Sequence, residues 1–437
     1  MTETPVFSSA GVAAPHSLAS EAGRAILAEG GNALEAMVAM AATIAVVYPH
    51  MNAIGGDGFW LVHEPGGKVR AIEACGFAGE RATIERYRKL GFDAIPPRGP
   101  LSALTVPGAI GGWKAALAIA RERGGKMPLD ILLGDAIRHA REGYVVSASE
   151  GRDEAKEIAL IKQAPGFLDT YYFDGKRPQG GERRKVEPLS ATLEQLSRAG
   201  LDDFYRGDVG REIAADCERI GSPVTRSDLE RYRANERAPL STTIKGATIY
   251  NCPPPTQGLA SLIILGLFDR LNARGAGSFE HLHGLVEATK RAFRIRDQVV
   301  TDFDRLTRDP QRYLARDWLD REAAEISMTK AAPFPMAPDK GDTIWMGAID
   351  KDGLAVSYIQ SIYWEYGSGC VLPRTGVLLQ NRGVSFSLDP SALNPLQPGR
   401  RPFHTLNPPL AVFDDGRVAV YGAMGGDGQP QFQAQIF

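Results

Sequence analysis

Hydrophobic positions change their period along the chain, and the changes mark out its parts. After Ser17, residues Leu18, Ala22, Ala25 and Ile26 fall on one face at helical spacing, and Gly30–Gly31 end the run. Asn32 with Glu35 three residues later is a capping pattern for a second helix, ALEAMVAMAATIAVV. That helix is small and apolar nearly all round, as one buried on several sides would be. NAIGGDGFWLVHEPGGKVRAIEA reads as a glycine turn, a strand, a Pro-Gly-Gly turn and a returning strand. From about Val106 to Lys330 helical periodicity predominates, as in PLDILLGDAIRHAREG, and TIYNCPPPTQG adds a strand and a stiff polyproline turn. TKAAPFPMAPDKGD has no period and is the clearest discontinuity. Beyond it TIWMGAID, LAVSYIQSIYW, GVLLQNRG, NPPLAVFDDG and RVAVYGAMGG are strand patterns between turn residues. These strands are apolar rather than alternating, which predicts sheets covered on both faces in a layered α/β sandwich.

A chain of 437 residues can bury a sizeable core, and 50 Lys+Arg against 52 Asp+Glu leave it almost neutral. No basic run interleaves with aromatics, so a small-molecule partner is expected rather than nucleic acid. AMVAMAATIAVV is too short to span a bilayer and MTETPVFSS has no basic n-region, so no membrane partner and a cytoplasmic location are expected. Cys75, Cys217, Cys252 and Cys370 form no CxxC pair and read as buried thiols. His281 and His283, two apart, cannot share a helical face, so neither metal nor other cofactor is expected. His16 and His50 flank helices and read as capping or packing residues. Asp57 and Asp427, in GGDG strings, read as turn stabilisers. Arg98, in PPRGP, reads as an exposed loop arginine, with a second carboxylate clamp the weaker alternative.

The strand TIWMGAID starts on Thr343, directly after the aperiodic segment. If Lys351 to Gly353 form a three-residue hairpin loop, opposed residues have numbers summing to 704, and Thr343 faces Ser361. On hairpin geometry alone the plainer reading prevails, a β-branched strand starter with an incidental neighbour. Chemistry weighs the other way: a threonine that becomes an N-terminus carries its own base in the free α-amino group, and cleavage between Asp342 and Thr343 would create it. A nucleophile attacking an amide also needs donors for the oxyanion. Gly425 and Gly426 in GAMGGDGQP can present backbone N–H groups, although alone a Gly-Gly reads as a plain turn.

These segments resemble the γ-glutamyltransferase family of N-terminal nucleophile hydrolases from Gly11 to the last residue. The ordered landmarks are the two opening helices with their glycine turn, LTVPGAIGGW, PVTRSDLERYRANERAPL, IYNCPPPTQG and DTIWMGAIDKDGLAVSYIQSIYWEYGSG. The resemblance implies a four-layer αββα sandwich forming one integrated catalytic domain. It would be divided into a large-subunit region, 1–342, and a small-subunit region, 343–437. By the same resemblance Thr343 is the self-processing nucleophile, Ser361 its supporting hydroxyl, and Gly425 and Gly426 the oxyanion-hole pair. Cleaved large and small subunits would be each other's partners, with a dimer of such heterodimers left open.

Departures from the family pattern point to the substrate. The positions that would grip a glutamyl group carry Cys75 for an arginine and Tyr363 for an asparagine. Ser385 replaces an aspartate, Arg382 a glutamine, and His404 with Thr405 a serine pair. The anion for a ligand ammonium is gone, and Arg382 can grip a carboxylate bidentately. Together with VVYPHMNAIGGDGFWLV, PPRGPLSALTVPG and RPFHTLNPP, the pattern is most similar to the family's oxamate-amidohydrolase branch. A self-processing amidohydrolase acting on a small carboxylated amide is therefore expected. The alternatives are a γ-glutamyltransferase or γ-glutamyl hydrolase, an acylase for a bulkier amide, or an uncleaved, non-catalytic binding protein. Measured against the family's pattern, C-terminal helices and strands beyond QFQAQIF are expected to be missing.

Overall fold

The computed structural model describes residues 6–7, 9–152, 158–172, 175–334 and 343–437. In chain order the strands of its two main sheets are β1 (Gly11–Ala13), β2 (Asp57–His63), β3 (Val69–Ala74), β4 (Asn235–Arg237), β5 (Leu240–Ile244), β6 (Ala247–Asn251), β7 (Ile344–Ile349), β8 (Ala355–Ser361), β9 (Leu410–Phe413) and β10 (Val418–Val420). Six of them form a sheet in the order β1-β7-β8-β2-β3-β4, and the other four a sheet in the order β10-β9-β6-β5. The ladders are antiparallel throughout.

Side-chain alternation sorts the strand residues into layers. Phe59, Leu61 and Ile359 of the larger sheet meet Tyr250, Leu410, Val412 and Val418 of the smaller one. Their neighbours Trp60, Val62, Met346, Val356 and Tyr358 face the opposite way. There they pack on α1 (Ser17–Ala28), α2 (Ala33–Val47), α3 (Ala109–Glu122) and α4 (Leu129–Glu142). Helices α5 (Gly258–Leu271) and α6 (Phe279–Val299) cover the outer face of the smaller sheet. The result is the layered sandwich expected from apolar strands, in the four-layer αββα form that the family resemblance implied, and every position of β2 and β8 is buried.

The opening helices form as their sequence predicts. Asn32 and Glu35 close a complete capping box, and all residues of α2 are buried. His16 caps α1 by accepting the Leu18 N–H at 3.3 Å, and His50 packs its ring against Tyr48 and Tyr366. Among the described residues no helix is long and apolar enough to cross a membrane.

The β7–β8 hairpin turns through Lys351–Gly353, with Gly353 in the left-handed region at φ 83°. Ala355 opposes Ile349 and Gln360 opposes Ile344, the register deduced from the loop length. Asp350 organises this turn. Its Oδ1 accepts the N–H groups of Asp352 and Leu354 at 3.0 Å each, and its Oδ2 accepts the Ala33 N–H at 3.0 Å. The turn is thereby tied to the N-terminus of α2, where a carboxylate is favoured by unsatisfied N–H groups.

Two expectations need correction. GVLLQNRG is not a strand: it makes isolated bridges, Leu378 to Val371 and Leu379 to Gly55, and then enters a short 3-10 turn at Arg382–Ser385. An apolar run does not distinguish a buried irregular segment from a strand, because both bury every side chain. Conversely, the helical middle contains the β5–β6 hairpin, whose LSTTI half is only partly buried and lacks a strong apolar signal.

Asp350→Ala should remove three acceptor contacts from a nearly buried site. We expect a loss of roughly 2–4 kcal/mol, read as a lower urea midpoint, while Lys351→Ala on the exposed tip should change stability by less than about 0.5 kcal/mol.

Candidate active site

The larger sheet sets out a row of polar groups at its end. Ile344 opposes Gln360, so the next rung pairs Thr343 with Ser361. Thr343 Oγ1 donates to Ser361 Oγ at 3.2 Å, and Ser361 Oγ accepts the Tyr363 N–H at 2.9 Å. On its other side Ser361 opposes Asp57, and the β2–β3 register extends the rung to Cys75. Thr343, Ser361, Asp57 and Cys75 therefore share one row, with the parity of Phe59 and Leu61, on the face toward the smaller sheet. The approach is close: a Cβ on Gly56 would lie 2.2 Å from the Ser361 carbonyl oxygen, so the residue before Asp57 has to be glycine.

Asp57 was expected to stabilise its own turn, and the structure corrects this. It opens β2 at 1 % exposure, and its Oδ1 accepts the N–H groups of Gly76 and Gly108 at 3.0 Å each. Its Oδ2 makes no hydrogen bond and lies 3.6 Å from His404 Nε2. Burial raises the Asp57 carboxyl to about 7, opposed by the Gln380 amide, the Gly76 N–H and the Arg382 charge. Burial, with the positive fields of Arg382 and Arg401, lowers His404 well below the usual histidine range, so its ring is neutral. Cys75 is likewise buried and its thiol is pushed well up, which leaves it unreactive.

The other residues singled out from sequence gather around Arg382, itself 2 % exposed. The Arg382 guanidinium lies 3.5 Å from the centre of the Tyr363 ring, and its Nη2 donates to Thr405 Oγ1 at 3.0 Å. Ser385 Oγ sits 3.0 Å from the Arg382 carbonyl and 3.1 Å from that of Phe403, so this hydroxyl is turned to backbone. His404 follows in the same chain segment, its ring against Phe59 at 5.0 Å.

Arg98 is not an exposed loop arginine. It is buried, and its Nη1 donates to the carbonyls of Glu365 at 2.6 Å and Gly367 at 2.5 Å. Its guanidinium also lies 5.4 Å from the Trp364 ring, which stacks on Tyr363 at 5.1 Å. This matters because Tyr363 and Tyr366 both hold positive φ, 82° and 56°, a conformation that side chains disfavour. Arg98 thus over-determines the loop that presents the Tyr363 N–H to Ser361 and the Tyr363 ring to Arg382.

Gly425 and Gly426 adopt φ of 113° and 52°, within reach of glycine only at low cost, before a terminal helix, α7 (Gln429–Ile436). Sequence reasoning missed what anchors them. Gln257 Nε2 donates both to Thr405 O at 2.7 Å and to Gly426 O at 2.8 Å, while Arg296 Nη1 reaches Gln257 Oε1 at 3.0 Å and Asp427 Oδ1 at 2.7 Å. One buried amide thus joins the glycine turn to the segment beside Arg382. Its signal in the sequence was a polar residue within the stiff PPPTQG string.

Asp342, the residue before the expected cleavage point, lies outside the described residues. The four cysteines are buried free thiols, and among the described residues no His, Cys, Asp and Glu cluster could hold a metal.

A sandwich of this topology is the fold of the N-terminal nucleophile hydrolases, and the chain belongs to the gamma-glutamyltranspeptidase family, which matches residues 19–437. It is 50% identical to the oxamate amidohydrolase proenzyme of Klebsiella pneumoniae, over 97% of this chain and 80% of that protein. It is 39% identical to the glutathione hydrolase-like YwrD proenzyme of Bacillus subtilis, again over 97% of this chain and 80% of the relative. Among solved structures, the cephalosporin acylase from Bacillus halodurans superposes with a TM-score of 0.88 at 32% identity, covering 100% of this chain and 82% of that one.

Arg98→Lys keeps the charge but loses the planar group that packs on Trp364 and holds one nitrogen against both carbonyls. Hydrogen exchange followed by mass spectrometry should quicken across residues 363–369 by about tenfold or more, the equivalent of about 1.4 kcal/mol in local opening, with the β2–β3 ladder unchanged.

Proposed function

We propose that the protein cleaves itself before Thr343 and then uses that threonine to hydrolyse a small carboxylated amide such as oxamate. The observation that carries this reading is the buried Thr343–Ser361 hydroxyl pair at the head of an inner strand. Conversion would begin with attack of Thr343 Oγ on the Asp342 carbonyl, giving an ester that water opens to a free α-amine on Thr343 and a carboxylate on Asp342. Regions 1–342 and 343–437 would then be the two subunits.

In turnover the α-amine takes the Thr343 hydroxyl proton as Oγ attacks the amide carbon. N–H groups of Gly425 and Gly426 receive the oxyanion, and Ser361 steadies the nucleophile. The C–N bond breaks, the α-ammonium returns the proton, and ammonia leaves an acyl ester on Thr343. Water, deprotonated by the same amine, hydrolyses that ester and releases the dicarboxylate. Arg382 grips the substrate carboxylate, held flat by Tyr363 and Thr405. His404 and Ser385 shape the remaining wall. The 50% identical relative named for oxamate supports the same substrate class.

Thr343→Ala should abolish both processing and turnover: a denaturing gel shows one chain, whereas the parent gives a fragment whose N-terminal sequence is Thr-Ile-Trp. An intact parent chain would sink the reading in favour of a binding protein.

Arg382→Ala should lower kcat/KM for oxamate by about 2–5 kcal/mol in transition-state stabilisation, and Arg382→Lys by less, with processing intact in both. A processed Arg382→Ala enzyme hydrolysing oxamate at the parental rate would remove the carboxylate from this position.

A further inference from the structure

The glycine turn at Gly425–Gly426 and the segment around Arg382 are separate stretches of chain, and one buried side chain holds both. Gln257, at the N-terminus of α5, is 0 % exposed. Its Nε2 donates to Thr405 O at 2.7 Å and to Gly426 O at 2.8 Å, so the separation of these two carbonyl oxygens cannot exceed the sum of the two bonds. Arg296 Nη1 donates to Gln257 Oε1 at 3.0 Å, which fixes the orientation of the amide because a guanidinium has only donors. The same nitrogen reaches Asp427 Oδ1 at 2.7 Å, next to the glycine turn, and the guanidinium lies 5.6 Å from the centre of the Phe403 ring. The backbone adds to the link: the Gln257 N–H donates to His404 O at 2.9 Å, and the His404 N–H to Pro255 O at 2.8 Å.

Thr405 completes the connection. Its hydroxyl accepts from Arg382 Nη2 at 3.0 Å while its carbonyl is held by Gln257. Asn407 Nδ2 donates to that same carbonyl at 2.9 Å and to Gln429 Oε1, at the start of α7, at 3.2 Å. Each step from the Arg382 guanidinium to the glycine turn is thus a hydrogen bond between buried groups, and such a bond is costly to break without a replacement. Two glycines that could otherwise take up many conformations are held at one place relative to Arg382.

We propose that Gln257 is a spacer: it sets the distance between the turn that receives the oxyanion and the arginine that grips the substrate carboxylate, and so restricts hydrolysis to amides whose carboxylate is bonded directly to the amide carbon. The inference rests on the roles proposed above for Arg382, Gly425 and Gly426. Gln257 is a positioning residue, acting on the substrate through Thr405 and Gly426, with Arg296 as its holder. Each methylene placed between amide and carboxylate inserts a further bond of about 1.5 Å. A misplacement of about 1 Å at the reacting atoms can cost about a hundredfold in rate. A clamp and an oxyanion turn on independent loops would adapt to the longer molecule; two carbonyls bound to one nitrogen do not.

The test compares oxamate with the half-amides of malonic and succinic acid, which carry the same charge and are longer by one and two methylenes. On the processed parent enzyme kcat/KM should fall about a hundredfold from oxamate to the malonic half-amide, and further to the succinic one. Gln257→Met keeps the bulk of the side chain but cannot donate, and it should cut the oxamate-to-malonic ratio by about tenfold or more. A substitution that merely loosened the fold would lower all three substrates alike, so an unchanged ratio in Gln257→Met overturns the inference. Arg296→Lys keeps a charge beside Asp427 but loses the planar group that steadies the amide, and it should move the ratio the same way by less. It carries the test if Gln257→Met yields no processed enzyme, and an unchanged ratio there is equally fatal. A parent that hydrolyses the succinic half-amide as fast as oxamate overturns the inference without any variant. Failure of the underlying reading looks different, since none of the three half-amides is then hydrolysed and both proposals fall; oxamate turnover without a length preference, or with one that the variants leave unchanged, is failure of the inference alone.

Discussion

The register of the β7–β8 hairpin is set at its tip, where Asp350 gathers two N–H groups of the turn and one from the start of α2. Side chains alternate faces, so a slip by one residue would turn Thr343 toward the helices and bring an apolar neighbour into its place. The same register lines up Ser361 with Asp57 through the β8–β2 ladder. A turn at one end of the hairpin thus decides what chemistry stands at the other, five rungs or more away. Its anchoring to α2, a helix buried at every position, makes that register a property of the whole layer.

Around the rung the structure handles charge sparingly. Arg382 is buried with its guanidinium over the Tyr363 ring, donating to the Thr405 hydroxyl and the Phe403 carbonyl. Ion pairing inside a protein is favourable only when the remaining donors and acceptors are satisfied, and here the nearby carboxyl is left with one oxygen unbonded. In the function proposed for the site, the loss of ligands for an ammonium and the gain of a buried arginine both favour a small anion. The finding that a carboxyl nevertheless stands next to His404 refines the view, taken from the sequence, of a pocket without an anion.

Much of this was legible because it depended on local pattern. The capping box, the helix-side burial of α2, the three-residue loop and the Thr343–Ser361 pairing all follow from spacing that a linear reading can count. The parts that escaped depend on long-range approach. Asp57 looked like one more residue of a glycine string, and its role emerges only where Gly76, Gly108 and His404 come to it from distant segments. Arg98 looked exposed because its loop is rich in proline and glycine, yet the carbonyls of Glu365 and Gly367 fold over it. GVLLQNRG was misread for the converse reason, since burial without a ladder leaves the same apolar signature as a strand.

The division of labour between regular and irregular chain bears on how such a site can change its substrate. Ser361 and Asp57 are paired in the β8–β2 ladder and Thr343 stands just before β7, bonded to Ser361 through its hydroxyl, whereas Tyr363, Arg382, Ser385, His404 and Thr405 lie on the irregular path between β8 and β9. Substitutions on that path can leave the Thr343–Ser361 pair in place, because the path has anchors of its own: Arg98 for the loop after β8 and Gln257 for the glycine turn. Asp57 is the exception, belonging to the rung by its backbone and approaching His404 with its side chain. Its neighbour Gly56 admits no side chain against Ser361, so the backbone there is not free to move.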